Sequence, residues 1–151
     1  MELRSVEELM DLLHACRGTR VAPDRDRPPV DLHDHALRTA ALLRRGRPAD
    51  KELQVAGLVQ PVGGLLWPGD PAARADHAAH AVRALLGERV SRLVRRCPRR
   101  DDSDDLDDDL LTLRQATEEG RTAGFDAGVL EDWRTVLHLL AARNSRLGAV
   151  D

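Results

Sequence analysis

Val55-Ala56-Gly57-Leu58-Val59-Gln60-Pro61-Val62-Gly63-Gly64-Leu65-Leu66 is the longest mostly apolar run in the chain. It reads as the body of a helix that Asp50 caps. Pro61 must end or kink that helix, because proline removes a backbone donor and clashes with the preceding turn. The two glycines that follow, Gly63 and Gly64, leave space where most helices carry side chains.

The rest of the composition agrees with a helical chain. The 151 residues suit one domain, 1–151, with one core. Leu, Ala and Val supply the apolar residues; there is no tyrosine, one phenylalanine (Phe125) and two tryptophans (Trp67 and Trp133). Such a composition favours an all-α fold. The basic residues are arginines except Lys51, a bias of GC-rich, actinobacterial-style genomes rather than of a function. A formal charge of −3 gives no global field for nucleic acid. Cys16 and Cys97 are too few for a disulfide framework. No stretch has the length of a membrane span, and the acidic N-terminus is no signal peptide. A soluble cytoplasmic protein is expected.

Ser5 and Glu8 form a capping box for a first helix that carries Leu9, Leu12 and Leu13 and ends before Gly18. Residues 19–30, with Pro23, Pro28 and Pro29, read as a surface loop. Asp31 caps a second helix with Leu32, Ala36, Leu37, Ala40 and Leu43 at helical spacing. Asp70-Pro71 starts a further helix that runs to Gly87. A short helix over 88–96 stops before Pro98. Residues 101–109 hold seven aspartates and read as a solvated acidic loop. Helices are expected from Leu110 to about Glu119 and from about Gly128 to Arg146.

Four segments in this order resemble the HD-domain family, nearest its diiron branch, the relatives of phosphonate-cleaving oxygenases and myo-inositol oxygenase. Val30 to Ala40 is similar to the family's opening helix and places His35 at the first ligand position. The organising run is similar to the His-Asp segment, with Gln60-Pro61 where the dyad stands and Gly64 where a later histidine stands. Asp76 to Gly87 resembles the His-rich helix and puts His77 at a ligand position. Val90 to Cys97 resembles the segment ending in another ligand histidine, here Cys97. The last-helix ligand falls on Asn144, which shares a stripe with Trp133, Leu137 and Leu140. The resemblance implies an HD-domain-like bundle of five to seven helices with these residues around one site.

It also implies that the family's metal chemistry is lost. A dinuclear centre needs a bridging carboxylate, and the matched positions hold none; glutamine and asparagine are weak ligands, and proline is no ligand. No cofactor is expected. A reduced zinc site on His35, His77 and Cys97 is the runner-up. The triplet His33-Asp34-His35 spells the dyad letters at another position. Its histidines project about 200° apart on a helix, and His33 and Asp34 are expected to face solvent. His77 and His80 are three apart, a spacing that seldom binds metal at a surface. The aspartate run lacks the glycine and alternation of a calcium loop. The pairs Arg44-Arg45, Arg95-Arg96 and Arg99-Arg100 read as helix-end charges.

Two function classes remain. In the first, the former active-site cavity of a metal-free scaffold takes a small molecule, by binding alone or by acid–base catalysis of a cyclisation, elimination or hydrolysis in specialised metabolism. His35 and His77 are the acid–base candidates; Gln60, Pro61, Gly63, Gly64, Trp67, Cys97 and Asn144 are the pocket candidates. In the second, a catalytically dead pseudoenzyme serves as a regulatory module for a protein partner or forms a homo-oligomer.

Overall fold

Several helices start where a side chain supplies an acceptor for the first free N–H groups. The computed structural model describes residues 2–21, 29–66, 70–98, 107–122 and 124–149. In α1 (Val6–Ala15), Ser5 Oγ accepts from Glu8 N at 3.2 Å. Helix α2 (Leu32–Gly46) starts at Asp31, which accepts from Asp34 N at 3.1 Å. Helix α3 (Lys51–Val59) starts at Asp50, which accepts from Leu53 N at 3.1 Å. Helix α4 (Val62–Leu66) follows directly. Helix α5 (Pro71–Leu86) starts at Asp70, which accepts from Ala73 N at 3.4 Å. Helices α6 (Glu88–Arg96), α7 (Asp108–Thr122) and α8 (Arg134–Ala149) complete the set, with a 3-10 turn over Leu130–Trp133 leading into α8.

The fold is an all-α bundle. Among the described residues the sheet structure is one antiparallel ladder, Arg20–Val21 against Val30–Asp31, with Arg20 opposite Asp31. Gln60-Pro61 alone separates α3 from α4; counted as one broken helix, the pair brings the helices among the described residues to seven. None is long and apolar enough to cross a membrane.

Helix α3 is the axis of the bundle. Leu53 to Val59 are all buried, with α2, α6, α7 and α8 packed around them. A helix apolar all round belongs inside, which is why the organising run is so uniformly apolar. Pro61 breaks this axis, and the chain turns into α4 with Gly64 N bonded to Pro61 O at 2.9 Å. Gly63 sits where α4 meets α5. A Cβ there would lie 2.4 Å from Arg74 O, so the contact requires glycine.

Gly87 alone joins α5 to α6, at φ 99°, a conformation that side chains disfavour. The side chain of Asn144 on α8 docks beside it. Its Nδ2 donates to Ala84 O at 2.6 Å, satisfying a carbonyl in the last turn of α5.

Two surface expectations are corrected. The acidic run is partly structural: Asp107 accepts from Asp109 N at 3.0 Å and Leu110 N at 3.2 Å, capping α7. Residues 101–106 lie outside the described residues. Asp109 joins an ion-pair network around Arg89, which donates to Asp50 at 2.7 and 2.8 Å, to Glu52 at 3.2 Å and to Asp109 at 3.0 Å. Arg47 adds a 3.0 Å bond to Asp109. The network ties the starts of α3, α6 and α7 to the end of α2. The second correction concerns His33. Asp34 is exposed, but His33 is only 4% exposed, because the end of α1 lies over the start of α2 and the His14 ring stacks at 6.3 Å between centroids.

Candidate functional site

A pocket of about 290 Å³ lies at the break between α3 and α4. Five of the residues named from the sequence line it. His35 comes from α2, Gln60 and Pro61 from the break, Gly64 from α4, and Cys97 from the end of α6. Thr117 on α7 joins them together.

Thr117 O accepts from His35 Nε2 at 2.8 Å. Thr117 Oγ1 accepts from Gln60 Nε2 at 3.0 Å and donates to Leu113 O at 2.8 Å. Cys97 Sγ lies 4.0 Å from the same hydroxyl. Sequence reasoning missed this residue. Its signal was present: Leu110, Leu113, Thr117 and Gly120 recur at helical spacing, so the threonine sits on the inward stripe of its helix.

The bond to Thr117 fixes the histidine. A carbonyl only accepts, so His35 Nε2 carries the proton and, in the neutral ring, Nδ1 carries the lone pair. Burial lowers the His35 pKa from its usual 6.5; the Thr117 carbonyl opposes this, and Arg121 and Arg38 assist it. The ring is therefore neutral at pH 7. Cys97 is held in the opposite sense for reactivity: burial pushes its pKa up to about 11, so it is a thiol at neutral pH.

The wall also carries Arg74, Arg114 and Arg121 against one carboxylate, Glu118. Arg114 donates to Cys97 O and Arg96 O, both at 2.9 Å, and so caps the end of α6. Three guanidinium groups and one carboxylate make the lining net positive, which favours an anionic guest.

The remaining expectations are corrected. His77 is exposed on α5 and does not line the pocket. The buried face of α5 is Ala75, Ala78, Ala79 and Val82, which leaves His77 and His80 outward. Asn144 does not line it either and serves the α8–α5 contact described above. Gly63 is buried against Arg74 and shapes the packing behind the pocket rather than its surface. Trp67 lies outside the described residues.

These placements decide the metal readings. Pro61 offers no ligand atom, and no carboxylate stands at the matched positions to bridge two ions, so these residues do not fit a dinuclear centre. The zinc trio fails as well, since His77 is not with His35 and Cys97. Among the described residues, the cluster of three potential ligands within 4.8 Å of one another is Asp31, His33 and Asp34.

No protein-family model matches the chain, and no curated protein matches it.

Proposed function

We propose that this chain is an HD-domain-like bundle whose central pocket binds a small anionic metabolite without a metal in the pocket. One observation carries the reading: His35, Gln60, Pro61, Gly64 and Cys97, which the resemblance assigns to a single site, line one pocket with a net positive wall. Its volume is at the small end of the range of ligand sites, roughly 300–1,000 Å³, so the guest is a small carboxylate or phosphate.

His35 is the group that acts on such a guest. Its neutral ring, oriented by Thr117, accepts a proton through Nδ1. With His77 on the outer surface, a two-histidine relay has no support, and Glu118 is the remaining acid–base group on the wall. Binding, or proton abstraction by a single base during an elimination or cyclisation, is the chemistry this set performs. The free, buried cysteines Cys16 and Cys97 suit a reducing cytoplasm. The pseudoenzyme alternative rests on the exposed apolar side chains Leu111, Val129 and Leu139, and such single exposures are ordinary.

Native mass spectrometry of the purified chain, followed by melting-temperature shifts with a panel of small carboxylates and phosphates, tests this. A copurified or added anion should stabilise the wild type, and Gly64→Leu should abolish the shift while keeping the unliganded melting temperature. A panel without effect, or a shift that survives Gly64→Leu, overturns the reading and moves the weight to the interaction module.

A further inference from the structure

His33 poses a problem the pocket does not solve. Its side chain is 5% exposed, and neither Nδ1 nor Nε2 has a hydrogen-bond partner among the described residues. A buried polar atom without a partner is costly. Its Nδ1 lies 3.6 Å from Asp34 Oδ1, beyond a hydrogen bond. The ligating atoms of Asp31, His33 and Asp34 all fall within 4.8 Å of one another.

We propose that Asp31, His33 and Asp34 form a mononuclear site for a divalent transition-metal ion of the zinc type, separate from the pocket. Ligands on one zinc at roughly 2.0–2.1 Å stand about 3–4 Å from each other, so this cluster closes on an ion by small side-chain rotations. Asp34 is exposed and can rotate. Asp31 is already set: one oxygen accepts from Asp34 N at 3.1 Å and the other from Gly18 N at 2.5 Å. An ionised carboxylate has about four lone-pair sites, so both bonds persist while an oxygen ligates. Such second bonds orient a ligand. The ion gives one of the two buried imidazole nitrogens a partner, and two carboxylates offset both its charge and the positive end of the α2 dipole.

The ligand types select the metal. One imidazole with two carboxylates suits zinc and its neighbours. Calcium asks for six to eight oxygens, which this cluster does not supply. The position gives the site a role. Asp31 lies between Val30 and Leu32, which line the pocket, and its bond to Gly18 ties that wall to the end of α1. A cation here is a clamp behind the pocket wall and does not touch the guest. The inference therefore stands whether or not the pocket reading holds.

The untagged full chain, stripped with chelator and dialysed against zinc, decides the matter by elemental analysis and melting temperature. One zinc per chain and a raised melting temperature are expected. His33→Gln should abolish binding, and Asp34→Asn, at an exposed position, should weaken it at least tenfold. His77→Gln and Cys97→Ser should retain the full complement. Should His33→Gln fail to fold, Asp34→Asn decides alone. Wild-type chain that takes no zinc, or takes it only in millimolar excess, overturns the proposal, as does zinc retained undiminished in Asp34→Asn.

Discussion

His35 on α2 donates its Nε2 proton to the carbonyl oxygen of Thr117 on α7, 2.8 Å away. These residues are 82 positions apart in the chain, and their contact sets the state of the pocket. It seals one edge of the imidazole against a helix and fixes which nitrogen is protonated.

The first prediction follows from the lowered His35 pKa. Between that lowered value and the usual 6.5, the unfolded chain binds a proton that the folded chain refuses. Stability therefore rises with pH through this window and is flat above it for this group. The contribution to the slope is at most about 1.4 kcal/mol per pH unit. Urea unfolding between pH 7 and pH 5 should show the loss, and His35→Gln should flatten it. An unchanged slope in the variant would place His35 outside the low-pH transition.

Thr117→Val keeps the shape and removes the hydroxyl. The Gln60 amide then loses its acceptor, at a cost of about 1–2 kcal/mol. Thr117→Ser should recover most of this. Equal stability of the valine and wild-type chains in denaturant titrations would show that Gln60 finds water instead.

Arg89→Met removes the cation shared by Asp50, Glu52 and Asp109. Stranding half-buried carboxylates should cost about 1–3 kcal/mol at pH 7. Hydrogen bonds from Arg89 hold the pKa values of Asp50 and Asp109 below their usual 3.8. Their stabilisation is complete above that value and is lost as pH falls through the lowered ones. The gap between variant and wild type should thus shrink below pH 4, which chevron or melting data across that range would reveal.

Both thiols should resist alkylation. Burial is the main cause that raises Cys97 to about 11 and Cys16 to about 12, and the thiolate is the reactive form. Iodoacetamide at pH 7.5 should label the folded chain far more slowly than the chain in denaturant. Rapid labelling of Cys97 in the folded protein would contradict its burial beside Thr117.

Sequence alone determined the local elements, because their causes are local. Ser5, Asp31, Asp50 and Asp70 each supply a cap within three residues of its donor, Pro61 denies a hydrogen bond to its own turn, and Gly87 permits a backbone state that other residues avoid. The stripe of Leu32, Ala36, Leu37, Ala40 and Leu43 marked the second helix, the resemblance alone singled out His35, and the apolar run around Gly57 marked the axis of the bundle. Tertiary structure decided everything that depends on which faces meet. His77 looked like a partner of His35, yet the packing of α5 through Ala75, Ala78 and Val82 turns it to solvent. Asn144 shares the last helix's stripe, but the crossing of α8 over the end of α5 sends its amide to Ala84. His33 looked exposed until the end of α1 covered it. Thr117 acquires its place only when α7 lies against α2 and the break in α3. Capping and turn preferences act over a few residues, whereas a site is made of contacts between distant ones, and the relative placement of whole helices sets those contacts.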